Sequence, residues 1–199
     1  TDIEGSMRMM NLANREEAEK ELKRIADELA GEGMPCTVGA DVQYKYKLTS
    51  KGKDFSVTCA QSINIGAEEY EYYEGAAPIN RNELAVTPQI SEKLNAKIGD
   101  TVTVDFGGEK LDCIITGYFH SMMNVGETAR LSDGAPTEMA YVSGILQNQI
   151  NFTDNPSDEE IINRKERIIE LYGNKEVFTA AEYCVDCISV VPTMMAVQL

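Results

Sequence analysis

The sequence predicts an α+β fold in which a split β-α-β layer, ferredoxin-like in outline, is interrupted by an inserted β-rich subdomain. Three observations carry this reading. The first sixty of 199 residues read β-α-β-β, the last third repeats the β-α-β order, and the stretch between is hairpin-rich. The predicted division is a discontinuous α/β subdomain, 1–60 and 137–199, with an inserted subdomain at 61–136. The flanks share an order of elements and no repeated sequence.

Residues 7–12 read as a short strand. A helix follows, with Asn14 as its N-cap, Glu16 and Glu17 in the first turn, and an apolar stripe of Ala18, Leu22, Ile25 and Leu29. Gly31 and Gly33 stop it. Extended structure begins at Cys36 and runs to Leu48, with a break expected at Gly39; 50–53 turn, and 55–59 return. Tyrosines and carboxylates crowd 66–75. Thr87-Pro88 opens a second helix, Thr as N-cap and Pro at the first position, with Ile90, Leu94 and Ile98 on its buried face. Alternation over 101–106, a Gly107-Gly108 turn and a return over 111–118 make a hairpin. Residues 119–136 read as loop and 138–142 as a strand. A third helix spans about 158–171, with Ile161, Ile162, Ile168, Ile169 and Leu171 on or near its buried face. The last strand is expected around 184–191.

Composition excludes several classes. At 43% hydrophobic and 26% charged residues the chain can bury a core. Its 33 Asp and Glu against 18 Lys and Arg leave a net charge of −15, which disfavours nucleic acid and anionic membrane surfaces alike. No run approaches the roughly 18–20 apolar residues that cross a bilayer. The Thr1 start and the uncharged tail 190–199 fit a soluble loop cut from between two membrane helices, or an ordinary C-terminal strand.

Candidate chemistry is sparse. Five cysteines, at 36, 59, 113, 184 and 187, are too few and too odd for a disulfide framework and fit a reducing compartment or an anaerobe's secreted domain. Cys184 and Cys187 form the one CxxC, but no helix pattern follows to lower a thiol pKa, and on a strand they face opposite ways. Zinc would need two further ligands. His120, the sole histidine, has no nucleophile motif beside it and reads as a loop residue. Neither GxGxxG nor GxxxxGK[ST] occurs. The acidic run Glu68-Glu69-Tyr70-Glu71-Tyr72-Tyr73-Glu74 reads as a solvated edge or a recognition surface, and Asp158-Glu159-Glu160 as a helix N-terminus. Lys45 and Lys47 alternate with Tyr44 and Tyr46 and, with Lys51 and Lys53, read as an edge strand protected by charge.

The most specific stretch is Tyr72-Tyr73-Glu74-Gly75-Ala76-Ala77-Pro78, then Asn82-Glu83-Leu84-Ala85-Val86-Thr87, then Leu94-Asn95-Ala96-Lys97-Ile98-Gly99-Asp100-Thr101-Val102-Thr103-Val104, with a hairpin ending Ile114-Ile115-Thr116-Gly117-Tyr118. Over 72–118 this resembles the extracytoplasmic domain of FtsX/MacB-like ABC transporter permeases. Ala76 stands where that family often carries Arg. The resemblance implies a porter-like α/β part with an inserted β-rich lobe, held between two bacterial membrane helices on the outer side of the cell membrane. It implies a non-catalytic role without cofactor, coupling or binding a substrate, protein, peptide or lipid-linked partner. The cytoplasmic ATPase subunit and the membrane helices would be partners, and the full-length permease a homodimer. No residue is singled out as catalytic, metal-binding or ligand-binding. The alternatives are a small cytosolic redox or thiol enzyme using Cys184 and Cys187, and a free-standing secreted interaction module.

Overall fold

A computed structural model describes residues 15–121, 123–173 and 177–182. The strand expected at 7–12, the Asn14 cap and the strand around 184–191 lie outside them. What is described is a mixed α+β fold in which strands dominate.

Helix α1 (Arg15–Gly31) buries Ala18, Leu22 and Leu29, as the stripe predicts. It gives way to β1 (Cys36–Ser50), which runs straight through Gly39. The glycine is there for packing: a Cβ on it would lie 2.3 Å from Ile65 Cγ1. β1 and β2 (Lys53–Ile63) form a hairpin in continuous register from Ser50 opposite Lys53 to Ala40 opposite Ile63. There follow β3 (Glu74–Gly75), β4 (Glu83–Val86), α2 (Pro88–Leu94), β5 (Thr101–Asp105), β6 (Lys110–Tyr118), β7 (Thr128–Leu131), β8 (Val142–Phe152) and α3 (Asp158–Tyr172).

The pairings close a ring. β1 pairs with β2, β2 with β7, β7 with β4, β4 with β6, β6 with β5, and β5 with β1. The β2–β7 and β4–β6 contacts are parallel and the other four antiparallel. Register decides what fills this barrel. Tyr44 stands opposite Cys59, Tyr46 opposite Val57, and Leu48 opposite Val104. Val102 faces Cys113, and Leu84 faces both Leu131 and Ile115. All of these are buried in one cluster. The Tyr44 and Tyr46 rings stack 5.4 Å apart, and Phe106 meets Tyr46 edge-on at 5.0 Å. A ring of six strands has room for side chains and little else.

β1 is longer than the barrel needs. Its residues 36–44 pair with β8 before 47–49 pair with β5. Helices cover this extension: α1 packs on β1, and α3 contributes Ile168, while Arg164 lies 4.7 Å over the Phe152 ring. The helices touch where Arg167 pairs with Glu32 at 2.7 Å and Tyr172 donates to Glu28 at 3.0 Å.

Several expectations change. β1 has neighbours along both sides, so Lys45 and Lys47 are no edge guards; they point outward while Tyr44 and Tyr46 point in. The supposed loop 119–136 contains β7, all four of whose residues are buried. Burial on both faces removes the alternation by which a strand is recognised. The strand expected at 138–142 is a 3₁₀ turn over Met139–Tyr141, and β8 begins only at Val142, its Gln and Asn content masking it. Thr87 precedes α2 but does not cap it; its hydroxyl accepts from the Thr128 amide at 3.4 Å instead. Asn95 in the left-handed region ends α2, leaving Ile98 half-buried beyond it. On α3 only Ile168 is buried, while Ile162 and Leu171 stay exposed; Ser157 caps the helix through a reciprocal bond pair with Glu160.

Cutting Leu84 to Ala should cost about 2–5 kcal/mol, because it faces two strands at zero exposure. Ile79→Ala, at 61% exposure, should stay within about 0.5 kcal/mol of the parent. Urea midpoints at unchanged m-value would measure both.

Candidate functional site

Between β2 and β3 the chain crosses the outside of the barrel as a strap, 64–73, containing the tyrosine-rich acidic run. Its seat is a buried polar network on the outward face of β1, β2 and β7. Asp41 stands opposite Ser62, and Arg130 opposite Ala60 next to it. Arg130 grips Asp41 with both terminal nitrogens, Nη2 to Oδ2 at 3.1 Å and Nη1 to Oδ1 at 3.2 Å. Arg130 Nη1 also donates to Ser62 Oγ at 2.9 Å, and that hydroxyl donates to Asp41. From the strap, Tyr70 donates to Asp41 Oδ1 at 2.8 Å and lays its ring 3.4 Å under the Arg130 guanidinium. Asp41 is 5% exposed and Arg130 4%, so water screens little of this.

Burial pulls the Asp41 carboxyl towards neutrality, but the Arg130 charge and the bonds from Arg130, Ser62 and Tyr70 outweigh it and hold the group below the usual range. Burial and the Asp41 charge push the Tyr70 phenol up, which keeps its proton available to donate. Helix α1 joins the same seat, since Arg15 Nη2 donates to the Ser62 carbonyl at 3.0 Å. Within the strap, Tyr72 donates to the Ala67 carbonyl at 2.8 Å and sets its ring against Phe119.

The strap ends in a surface. The exposed Tyr73 ring stacks on His120 at 4.5 Å and 16°, and on Tyr118 at 6.1 Å and 26°. Two features that sequence reading treats separately, the acidic run and the lone histidine, therefore meet. Gly75 and Gly117 make this possible: each would put a Cβ within 2.4 Å of the facing backbone. The next loop carries Asn124, Val125 and Gly126 in succession at positive φ, with Val125 68% exposed. For a β-branched residue that backbone is strained by about 1–3 kcal/mol. The loop is tied to α2 by a Lys93–Glu127 ion pair.

Other candidates scatter. Lys45, Lys47, Lys51 and Lys53 lie along the β1–β2 hairpin, with Lys47 paired to Asp54 at 3.2 Å. Glu159 and its neighbours open α3 as expected. Cys59 and Cys113 are buried inside the barrel and unbridged; burial raises both thiols, Cys113 to about 12, which makes them unreactive. Cys184 and Cys187 lie outside the described residues. Among the described residues no cluster of three or more His, Cys, Asp or Glu is placed to hold a metal ion, and no helix is long and apolar enough to cross a membrane. Sequence reading missed Asp41, Ser62 and Arg130. The available signal was charge out of place: Asp41 interrupts an apolar strand, and Arg130 sits between Ala129 and Leu131.

The described residues thus form a barrel continued into a helix-backed sheet, with a strapped aromatic surface on its flank. No family model and no curated protein matches the chain. Among solved structures it is similar to the periplasmic region of MacB from Actinobacillus actinomycetemcomitans, at 12% identity and TM-score 0.49, covering 82% of this chain and 80% of that one. It is also similar to the extracellular domain of the noncanonic ABC-type transporter YknZ from Gram-positive bacteria, at 14% identity and TM-score 0.45, with 76% and 83% covered. A domain of a putative permease protein from Porphyromonas gingivalis matches at 11% identity and TM-score 0.43, with 76% and 77% covered. At such values the likeness is one of outline.

Asp41→Asn should destabilise the chain by about 3–5 kcal/mol, because Arg130 would stay buried without its counter-charge. The pH dependence has a fixed sign. A carboxyl held below its unfolded value near ~3.9 stabilises fully above that pH, and the contribution is lost as pH falls through the folded value. The parent should therefore lose stability more steeply than Asp41→Asn below about pH 4, as acid-limb urea titrations would show.

Proposed function

We propose that this chain is the non-catalytic extracytoplasmic domain of a bacterial ABC transporter permease of the FtsX/MacB-like kind, binding or coupling a substrate or protein partner outside the membrane. The carrying observation is that α1 and α3, from opposite ends of the chain, meet over the β1–β8 sheet, while the barrel strands lie between them in sequence. That arrangement suits a lobe whose two flanks lead to neighbouring membrane helices. The resemblance over 72–118 supports the same reading, since this segment folds as one consecutive run from β3 through β6. On this reading 1–60 and 137–199 form the porter-like part and 61–136 the insert, with β1 and β2 of the first part pairing with β5 and β7 of the insert. ATP-driven movement would then reach the lobe through both flanks, from an ATPase subunit on the cytoplasmic side, in a homodimeric permease.

The native reading frame should continue on both sides of 1–199 into segments of about 20 apolar residues. Protease applied to the outer face of intact cells or spheroplasts should cleave within the domain. A frame without apolar flanks, or a domain protected until the inner membrane is opened, would refute the assignment. Thiol pKa values at Cys184 and Cys187 near the ordinary value of about 8.5 would remove the redox alternative.

A further inference from the structure

The Tyr73–His120 stack and its surroundings point to a docking surface, and we infer that it receives a polypeptide segment bearing arginine or lysine side chains. Two independent observations carry this. The first is the rings themselves. Tyr73 is 47% exposed and its ring is stacked nearly parallel to His120, so the imidazole takes part of one face, and no cation of the described residues lies over the part left open. The face of a tyrosine attracts guanidinium and ammonium groups.

The second is a local absence of counter-charge. No Lys or Arg occurs between Lys53 and Arg81, whereas Glu68, Glu69, Glu71 and Glu74 do. All four are exposed, and among the described residues none forms an ion pair. Elsewhere Glu16, Asp27, Asp54, Glu109, Glu127 and Asp154 each have a Lys or Arg partner, while scattered exposed carboxylates such as Glu92 and Glu159 do not; the strap differs in gathering four such groups within seven residues. The acidic run alone would be a solvated edge. Joined to an exposed ring stack on a strap held by a buried network, it is a rigid, pre-organised cation acceptor.

The strap already displays this chemistry internally. Arg130 lies flat on Tyr70 while a carboxylate, Asp41, takes its nitrogens. Tyr73 with Glu71 and Glu74 repeats the residue types on the outside, without the arginine. The inference does not depend on a permease assignment, so either can fail alone.

The test uses the full 199-residue chain and a fluorescein-labelled peptide alternating Arg and Gly over eight residues, with a Glu-Gly peptide as its opposite. Saturable binding of the Arg peptide alone is expected, weakening as salt rises. Tyr73→Ala should weaken it at least about fivefold, and Tyr73→Leu, which keeps the apolar bulk without the π face, by a similar factor. Glu71→Gln with Glu74→Gln should also weaken it, while Glu159→Gln on α3 changes it less than about twofold. Equal losses at Tyr73 and Glu159 would mean diffuse attraction to a chain of charge −15 and would overturn the site. Absence of saturation would do the same. Displacement by spermidine below the peptide's own dissociation constant would overturn the assignment to a polypeptide.

Discussion

Everything in this fold passes through β1. One side of the strand is taken by β2 along its whole paired length, and the other is divided between β8 and β5. A strand that must satisfy two different neighbours in succession has to change direction along its length. The register shifts against β8 between Asp41 and Val42 and between Gln43 and Tyr44 mark where this happens. Because side chains alternate, the same strand sends Val42, Tyr44, Tyr46 and Leu48 inwards and leaves Asp41 on the opposite face, next to the point of change. The polar network thus sits where barrel and helix-backed sheet part company.

A buried ion pair is a weak source of stability, since the desolvation of both charges offsets most of their attraction. Its value here is geometric. Arg130 comes from β7, Asp41 from β1, Ser62 from β2 and Tyr70 from the strap, and Arg15 brings in α1 through the Ser62 carbonyl. An apolar cluster of the same size would tolerate sliding. A guanidinium that needs two carboxylate oxygens, a hydroxyl and a ring face at once does not. Tyr73 is fixed to within the play of the short chain that joins it to Tyr70.

Much of the fold was legible in the sequence because much of it is amphipathic. The Ala18, Leu22 and Leu29 stripe, the alternation of Thr101 to Asp105, and the acidic opening of α3 each report one wet and one dry face. Elements without that contrast were not legible. β7 is dry on both faces and holds an arginine; β8 is rich in Gln and Asn and has a single neighbour among the described residues. Ring closure was equally hidden, since it depends on Thr58 meeting Thr128, and nothing in either neighbourhood names the other. For the candidate surface, the sequence supplied both participants, His120 and the tyrosine run, without their adjacency. That adjacency comes from Gly75 and Gly117, which let β3 press against β6.

The parallel pairing of β2 with β7 has a consequence for biogenesis. Residues 58–60 find their partners seventy positions later, so a nascent chain must hold the β1–β2 ribbon, with its row of free amides and carbonyls, until 128–130 leave the ribosome. Closure over such a separation is entropically slow, and an unfinished rim is where strands of other molecules add. The chain is therefore most vulnerable to self-association while it is being made, and chaperone protection in that interval matters more to its yield than the firmness of the finished barrel.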